Sequence, residues 1–179
     1  MNINGVQVKC AEINFLCVHK SLRARRLAPV LIKEITRRVN LHDIWQAVYT
    51  AGVTIPTPFT GATYWHRSLN VQKLVDVRFS APPVGVSMSK HIKNHKLPNK
   101  TFMSGWREMT EDDVPQVHVK LNEYLATHKV HIEFSEEEVR HFLLPRENVV
   151  HSFVVEADGG EVTDFFSFYV LPSSILKHE

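Results

Sequence analysis

Long apolar runs are missing from this sequence. No stretch approaches the roughly 20 residues that a helix needs to cross a bilayer, so no membrane span is expected. The opening residues, MNINGVQVKCAEIN, lack a basic segment followed by an apolar one, which argues against a signal peptide. Cysteine is scarce: only Cys10 and Cys17 occur. Seven residues apart, with Cys17 inside an apolar run, they read as reduced structural thiols rather than a disulfide framework. An excess of charge of one sign is missing too. Twenty-one basic side chains face 19 acidic ones, a net +2, which gives no global field pointing to nucleic acid or an anionic membrane as main partner. Any basic site must therefore be local. There is no G-x-G-x-x-G or G-K-[ST] loop for a dinucleotide or nucleoside triphosphate, no G-x-S-x-G elbow for serine hydrolysis, and no low-complexity segment. What remains is a chain of 179 residues, 44% hydrophobic, able to bury a core as one large domain or two small ones. The default is a soluble intracellular α/β protein.

The periodicities give an element order. Residues 12–19, EINFLCVH, read as a buried strand. A basic stretch follows, Lys20 to Arg26. In LAPVLIKEITRRVN, residues 27–40, Leu27, Leu31, Ile35 and Val39 fall on one helix face, Pro29 suits the first turn, and Arg37 and Arg38 suit the dipole's C-terminal end. Residues 44–53, IWQAVYTAGV, read as a second strand. Residues 71–80 fit a short helix or a strand. Residues 81–101, with three prolines and four lysines, read as a loop or linker. Beyond Gly105 the pattern changes: a short strand at Trp106–Met109, a capping pair Thr110 and Asp113 before a helix carrying Val114, Val117, Leu121 and Leu125, and a second pair, Ser135 and Glu138, before a helix stopped by Pro145. VVHSFVVE, the Ala157–Gly160 turn and EVTDFFSFYV read as a β-hairpin. A hairpin at that place excludes a doubly wound parallel sheet. The order fits α/β architecture of the α+β kind, a mixed sheet with helices packed on it.

The unit at residues 12–39 is the most informative. A helix N-terminus offers free N–H groups and a partial positive charge to phosphate, and here Arg23, Arg25 and Arg26 precede one. Arginine forks match phosphate oxygens in pairs, so a pyrophosphate ligand such as coenzyme A fits; a solvated basic turn fits as well. Phe15 and Leu16 are placed either to offer backbone N–H groups to an oxyanion or to be fully paired in a core strand. Cys17 reads as a core thiol rather than a nucleophile. Neither His91 with His95 nor His128 with His131 has a third ligand at metal-binding spacing, so both pairs read as surface histidines and no metal is expected. No nucleic-acid motif accompanies the arginines.

EINFLCVHKSLRARRLAPVLIKEITRRVN closely resembles the signature region of eukaryotic N-myristoyltransferases. The resemblance runs on in order through IWQAVYTAGV, YWHRSLN, REMTEDDVPQVHVKLNEYL, FSEEEVRHFLLPRENVV and EVTDFFSFYVLPSSIL, and is weakest over 81–104. It implies a fold similar to two fused GCN5-related acetyltransferase (GNAT) repeats, with residues 1–104 in the later part of the first and 105–179 opening the second. It implies transfer of myristoyl from myristoyl-CoA, a co-substrate and not a resident cofactor, to the N-terminal glycine amine of proteins, and a cytoplasmic location. By position, Phe15 and Leu16 match the oxyanion-hole amides. Cys17 and Val18 match residues along the acyl-CoA, and Arg23, Ala24, Arg26, Leu27 and Ala28 match the phosphate-holding loop and helix start. Many members have serine where this chain has Ala24, which removes one phosphate hydrogen bond. Thr50 and Gly52 match positions near the acceptor glycine, and Tyr64, His66, Phe79 and Ser173 match the peptide groove.

The resemblance also implies further segments on both sides, including a C-terminal carboxylate that acts as base for the amine; Glu179, after PSSILKH, is not assigned that role. The 179-residue chain alone is therefore expected to transfer little or no acyl group, and its unpartnered sheet edges to favour self-association. The alternative is a non-catalytic acyl-CoA- or peptide-binding module derived from the enzyme.

Overall fold

The structure is a computed structural model, and it describes residues 1–175; Glu179 lies outside the described residues. In chain order the elements are β1 (Asn2–Ile3), β2 (Val6–Gln7), β3 (Cys10–Glu12), α1 (Leu27–Asn40), β4 (Gln46–Val48), α2 (Val71–Asp76), α3 (Met88–Asn94), β5 (Trp106–Glu108), α4 (Val114–Leu125), β6 (Val130–His131), α5 (Glu136–Leu143), β7 (Val150–Glu156) and β8 (Val162–Tyr169). They form two compact units: Met1–Thr60 with His118–Ser135, and Gly61–Val117 with the described residues from Glu136 onward.

In the first unit β1 lies antiparallel between β2 and β6. Asn4 and Gly5 turn the β1–β2 hairpin with φ of 50° and 85°, the left-handed pair that a two-residue hairpin loop demands and that Asn-Gly adopts most readily. Asn2 Oδ1 accepts the Gly5 N–H at 2.8 Å. β3 and β4 pair in parallel, Cys10 opposite Gln46 and Glu12 opposite Val48, with α1 as the crossover helix. α1 spans the residues that its periodicity predicted. The two strands around it are shorter than expected. The ladder ends where the Ile13 N–H reaches Val48 O at 2.9 Å. Phe15, at φ 55°, then turns the chain out of the sheet, so residues 13–19 are neither strand nor buried. Phe15 is 89% exposed. Cys17 is likewise exposed, not the core thiol that its apolar setting suggested.

The second unit is held by an antiparallel sheet in the order β5-β7-β8, the expected hairpin joined by the expected short strand. Along β7 the inward positions Val150, Ser152 and Val154 are buried and the intervening ones half-buried. Val114, Val117, Val139, Val154 and Val162 are completely buried. These β-branched side chains suit a tight sheet-on-helix core. On the opposite face Phe153 stacks on Phe166 at 5.1 Å and meets the edge of Trp106 at 5.3 Å. α4 and α5 begin where the sequence places them, just after the Thr110–Asp113 turn and Ser135. The Asp113 carboxylate accepts from the Thr110 N–H at 2.7 Å and from its hydroxyl at 2.9 Å.

Of residues 71–80, Val71–Asp76 form a helix, α2, with Asn70 Oδ1 accepting the Lys73 N–H at its start. The stretch 81–101 is not loop throughout. Ser87 caps α3 by accepting the Lys90 N–H, and the helix turns His91 inward to a buried position, with its ring 4.6 Å from that of His95. His91 is thus not a surface residue: it is buried on α3, which packs on α2, where the sequence showed only polar neighbours.

Gly105 connects to β5 at φ 73°, and a Cβ there would lie 3.0 Å from the Glu156 carbonyl, whose own N–H bonds back to Gly105 O. Gly105→Ala combines a left-handed backbone with a clash against another strand's backbone. It is expected to lower stability by about 1–3 kcal/mol, measured by urea unfolding; a change under about 0.5 kcal/mol, the range of a neutral surface substitution, would show that this closure is not tight.

Candidate functional site

A cavity of about 670 Å³ lies within the first unit. Its walls are the ends of β3 and β4, the segment Asn14–Leu16, and one face of α1 (Leu31, Ile35 and Val39). The sequence puts those residues on one helix face, and the spacing is helical as expected, but no residue of α1 is fully buried. Its apolar stripe faces an open crevice, so the same signal that locates a core face here locates a ligand wall. Trp45, Tyr49 and Thr50 line the β4 side.

The site residues fall into three groups. Phe15 and Leu16 lie on the cavity wall, off the strand ladder, and among the described residues neither backbone N–H has a hydrogen-bond partner. This removes the paired-strand alternative. Thr50 joins them on the wall; Gly52 follows in a bend two residues on. The second group is the basic turn. His19 Nδ1 lies 2.8 Å from Ser21 Oγ and accepts the Ser21 N–H at 3.3 Å, capping a short turn at Lys20–Leu22. Arg23 Nε donates to Val18 O at 3.2 Å, tying the basic turn to the segment beyond the free amides. Ala24 and Arg26 are left-handed, at φ 66° and 54°, and Arg26 immediately precedes α1 with no side-chain cap. The first N–H groups of the helix, at Leu27 and Ala28, are therefore open to a ligand, as the free donors of a helix start are. None of Arg23, Arg25 and Arg26 makes an ion pair among the described residues. At the other end of α1, Glu34 accepts from Arg37 at 2.8 and 2.9 Å and from Arg38 at 2.8 Å. Those two guanidinium groups, Arg37 first, pull the Glu34 carboxyl down to about 2. Arg37 and Arg38 are thus compensated, whereas Arg23, Arg25 and Arg26 before the helix start are not, and there the dipole adds to their charge.

The third group belongs to the second unit. Tyr64 and His66 are exposed on an irregular segment, Phe79 is exposed just after α2, and Ser173 follows β8 with its hydroxyl 3.4 Å from Leu171 O. The residues that the sequence reading missed are the cavity's apolar wall and His19, whose capping role is visible only once the turn it closes is seen.

Known proteins with this sequence pattern are acyltransferases. The family models of myristoyl-CoA:protein N-myristoyltransferase match in two parts, the N-terminal domain over residues 1–62 and the C-terminal domain over residues 76–179. The chain belongs to the protein N-myristoyltransferase family. It is 57% identical over 170 residues to glycylpeptide N-tetradecanoyltransferase 1 of Arabidopsis thaliana, covering 94% of this chain and 39% of the relative. It is 51% identical to glycylpeptide N-tetradecanoyltransferase 2 of Danio rerio, covering 95% of this chain and 35% of the relative. The fold is similar to the crystal structure of Saccharomyces cerevisiae N-myristoyltransferase with bound myristoyl-CoA. The TM-score is 0.87 at 45% identity, over 94% of this chain and 39% of that one. The chain thus spans well under half the length of the proteins it matches.

Proposed function

We propose that this chain is the acyl-CoA-holding part of a protein N-myristoyltransferase, an enzyme that transfers tetradecanoyl from myristoyl-CoA to the N-terminal glycine amine of a protein. The observation that carries this reading is the pair of unpartnered amides at Phe15 and Leu16 on the wall of an apolar cavity, one short turn from an uncompensated arginine cluster at a helix start. A long-chain acyl-CoA needs that combination: apolar walls for the chain, N–H donors for the thioester oxygen, and cations with a helix N-terminus for the phosphates.

In this reading Arg23, Arg26 and the first N–H groups of α1, at Leu27 and Ala28, hold the coenzyme A phosphates beside Ala24. Cys17 and Val18 lie along the pantetheine arm. The neutral glycine amine, close to Thr50 and Gly52, attacks the thioester carbon. The carbonyl electron pair moves onto oxygen, where the Phe15 and Leu16 amides stabilise it. The attack forms the C–N bond; collapse of the tetrahedral species re-forms the carbonyl, breaks the C–S bond and expels the coenzyme A thiolate, which takes up the proton that the nitrogen loses. Tyr64, His66, Phe79 and Ser173 line the peptide groove. No metal or covalent enzyme intermediate enters. The same reading gives the chain parts of two GNAT-like repeats, divided near residue 104, and places the reaction in the cytoplasm, where nascent chains expose N-terminal glycines. The exposed Phe168 and Tyr169 on the edge strand β8, with Leu171 just after it, supply a surface for self-association.

Calorimetric titration tests it. Myristoyl-CoA is expected to bind saturably, and more tightly than coenzyme A alone, because each buried methylene contributes about 0.8 kcal/mol. Arg26→Ala keeps the backbone cost at φ 54° and removes the guanidinium with its aliphatic stem. It should weaken binding by about tenfold or more, the worth of a charge-assisted hydrogen bond. Equal affinity for both ligands, or indifference to Arg26→Ala, would sink the assignment.

A further inference from the structure

The balanced total charge conceals a local imbalance. Residues 61–105 carry seven of the chain's 21 lysines and arginines but one of its 19 carboxylates. That carboxylate, Asp76, already accepts a hydrogen bond from the Gln72 side-chain amide at 2.7 Å. Among the described residues none of the seven cations is paired with an acid, whereas Arg37, Arg38, Arg107 and Arg140 all are.

The fold brings Arg67 to the end of the lysine-bearing helix. α2 packs on α3, and the Arg67 guanidinium donates to the carbonyl of His95, just past the α3 C-terminus, at 3.1 Å. Lys90 and Lys93 are exposed one turn apart on α3, and Lys96 and Lys100 continue the exposed series beyond it, while His91 turns inward. Like charges at this spacing weaken a helix, so the cluster lowers stability unless an anion lies against it. Apolar side chains stand among the lysines: Ile92 is 41% exposed, Leu97 50% and Phe102 96%. Two chemistries thus alternate along one exposed segment. A nucleic-acid backbone would engage the cations and leave Ile92 and Leu97 in water. The interface of an anionic bilayer takes up both, cations among the headgroups and apolar side chains at the acyl boundary.

We propose that the α2–α3 surface, with Arg67, Lys90, Lys93, Lys96 and Lys100 around Leu97 and Phe102, docks peripherally on an anionic phospholipid membrane. This holds whether or not the acyl-transfer assignment is right, because the vesicle assay contains no acyl-CoA.

The test is cosedimentation of the 179-residue chain with vesicles of phosphatidylcholine alone or mixed with phosphatidylserine. Binding should be at least about tenfold stronger with phosphatidylserine and should weaken with added salt. Each lysine near an anionic surface is worth about 1 kcal/mol, so Lys90→Glu, Lys93→Glu and Lys96→Glu together should reduce partitioning by about 100-fold or more. These positions are exposed, and an unchanged circular dichroism spectrum would confirm that the triple variant is folded. Phe102→Ser should cost several-fold on the same vesicles. Equal partitioning onto both vesicle types would overturn the proposal, as would an unaffected folded triple variant or tighter binding to a short RNA than to phosphatidylserine vesicles.

Discussion

Arg107→Ala is expected to lower the stability of the second unit by about 2–3 kcal/mol. Arg107 joins three pieces of backbone. Its guanidinium grips Asp113 with two bonds of 2.7 and 2.8 Å and reaches Glu156 with Nε at 2.6 Å, linking β5, the turn before α4 and the end of β7. The Asp113 side chain is only 4% exposed. Without the arginine it is a buried carboxylate held by Thr110 alone. Breaking a fully buried pair costs about 3–5 kcal/mol; the guanidinium here is 40% exposed, so solvent screens part of the interaction and the cost falls to or below the bottom of that range. The pH dependence separates this from a packing defect. Arg107 first, and then the Thr110 donors, hold the Asp113 carboxyl down to about 2 from an ordinary 3.8, against the opposing effect of burial. A depressed acid contributes stability that is present above its unfolded pKa and is lost as pH falls toward the folded one. About 2 kcal/mol should therefore disappear between about pH 4 and pH 2, and the gap between wild type and Arg107→Ala should close over that range. Urea unfolding followed by circular dichroism at several pH values reads both quantities. A gap of constant size down to about pH 2 would mean that the arginine contributes packing and not charge.

The second unit was largely legible in the sequence because its signals are local and agree with one another. The Thr110 and Asp113 pair, the valine spacing of α4, Pro145 after α5 and the Asp-Gly-Gly turn each demand the element that the structure has. The first unit was less legible for a physical reason. EINFLCVH is apolar, and apolar β-branched runs ordinarily mean burial. Here the run leaves its ladder at Ile13 because Phe15 is left-handed, a conformation that nothing in its composition announces. The α1 stripe was read correctly as a face but not as the wall of a cavity, since periodicity says which side of a helix is apolar and not what covers it. Asn4-Gly5 was different: it is the strongest short hairpin signal available and went unused because the strands it joins are two residues each. The four lysines of residues 81–101 were visible, but their lack of ion pairs could be known only from the folded chain.

The left-handed Phe15 also permits a sharp test of the oxyanion assignment. If its φ of 55° aims the Phe15 and Leu16 amides, a β-branched residue at that position is the most damaging choice, because its side chain excludes positive φ. Glycine adopts that conformation at no steric cost. Transfer should be assayed in a chimera in which this chain replaces its counterpart in the Arabidopsis relative, to which it is 57% identical. Phe15→Ile is then expected to lower kcat by about 10²–10³-fold, the typical cost of losing one oxyanion donor. Phe15→Gly removes the same ring and more, yet should lose about tenfold or less, since the amides keep their direction and only backbone order is sacrificed. Myristoyl-CoA affinity should change little in either variant compared with kcat, because a donor aimed at developing charge acts on the transition state and not on ground-state binding. Equal losses for isoleucine and glycine would assign the effect to the phenyl ring. A loss confined to affinity would move Phe15 from the reacting carbonyl to the wall of the acyl cavity.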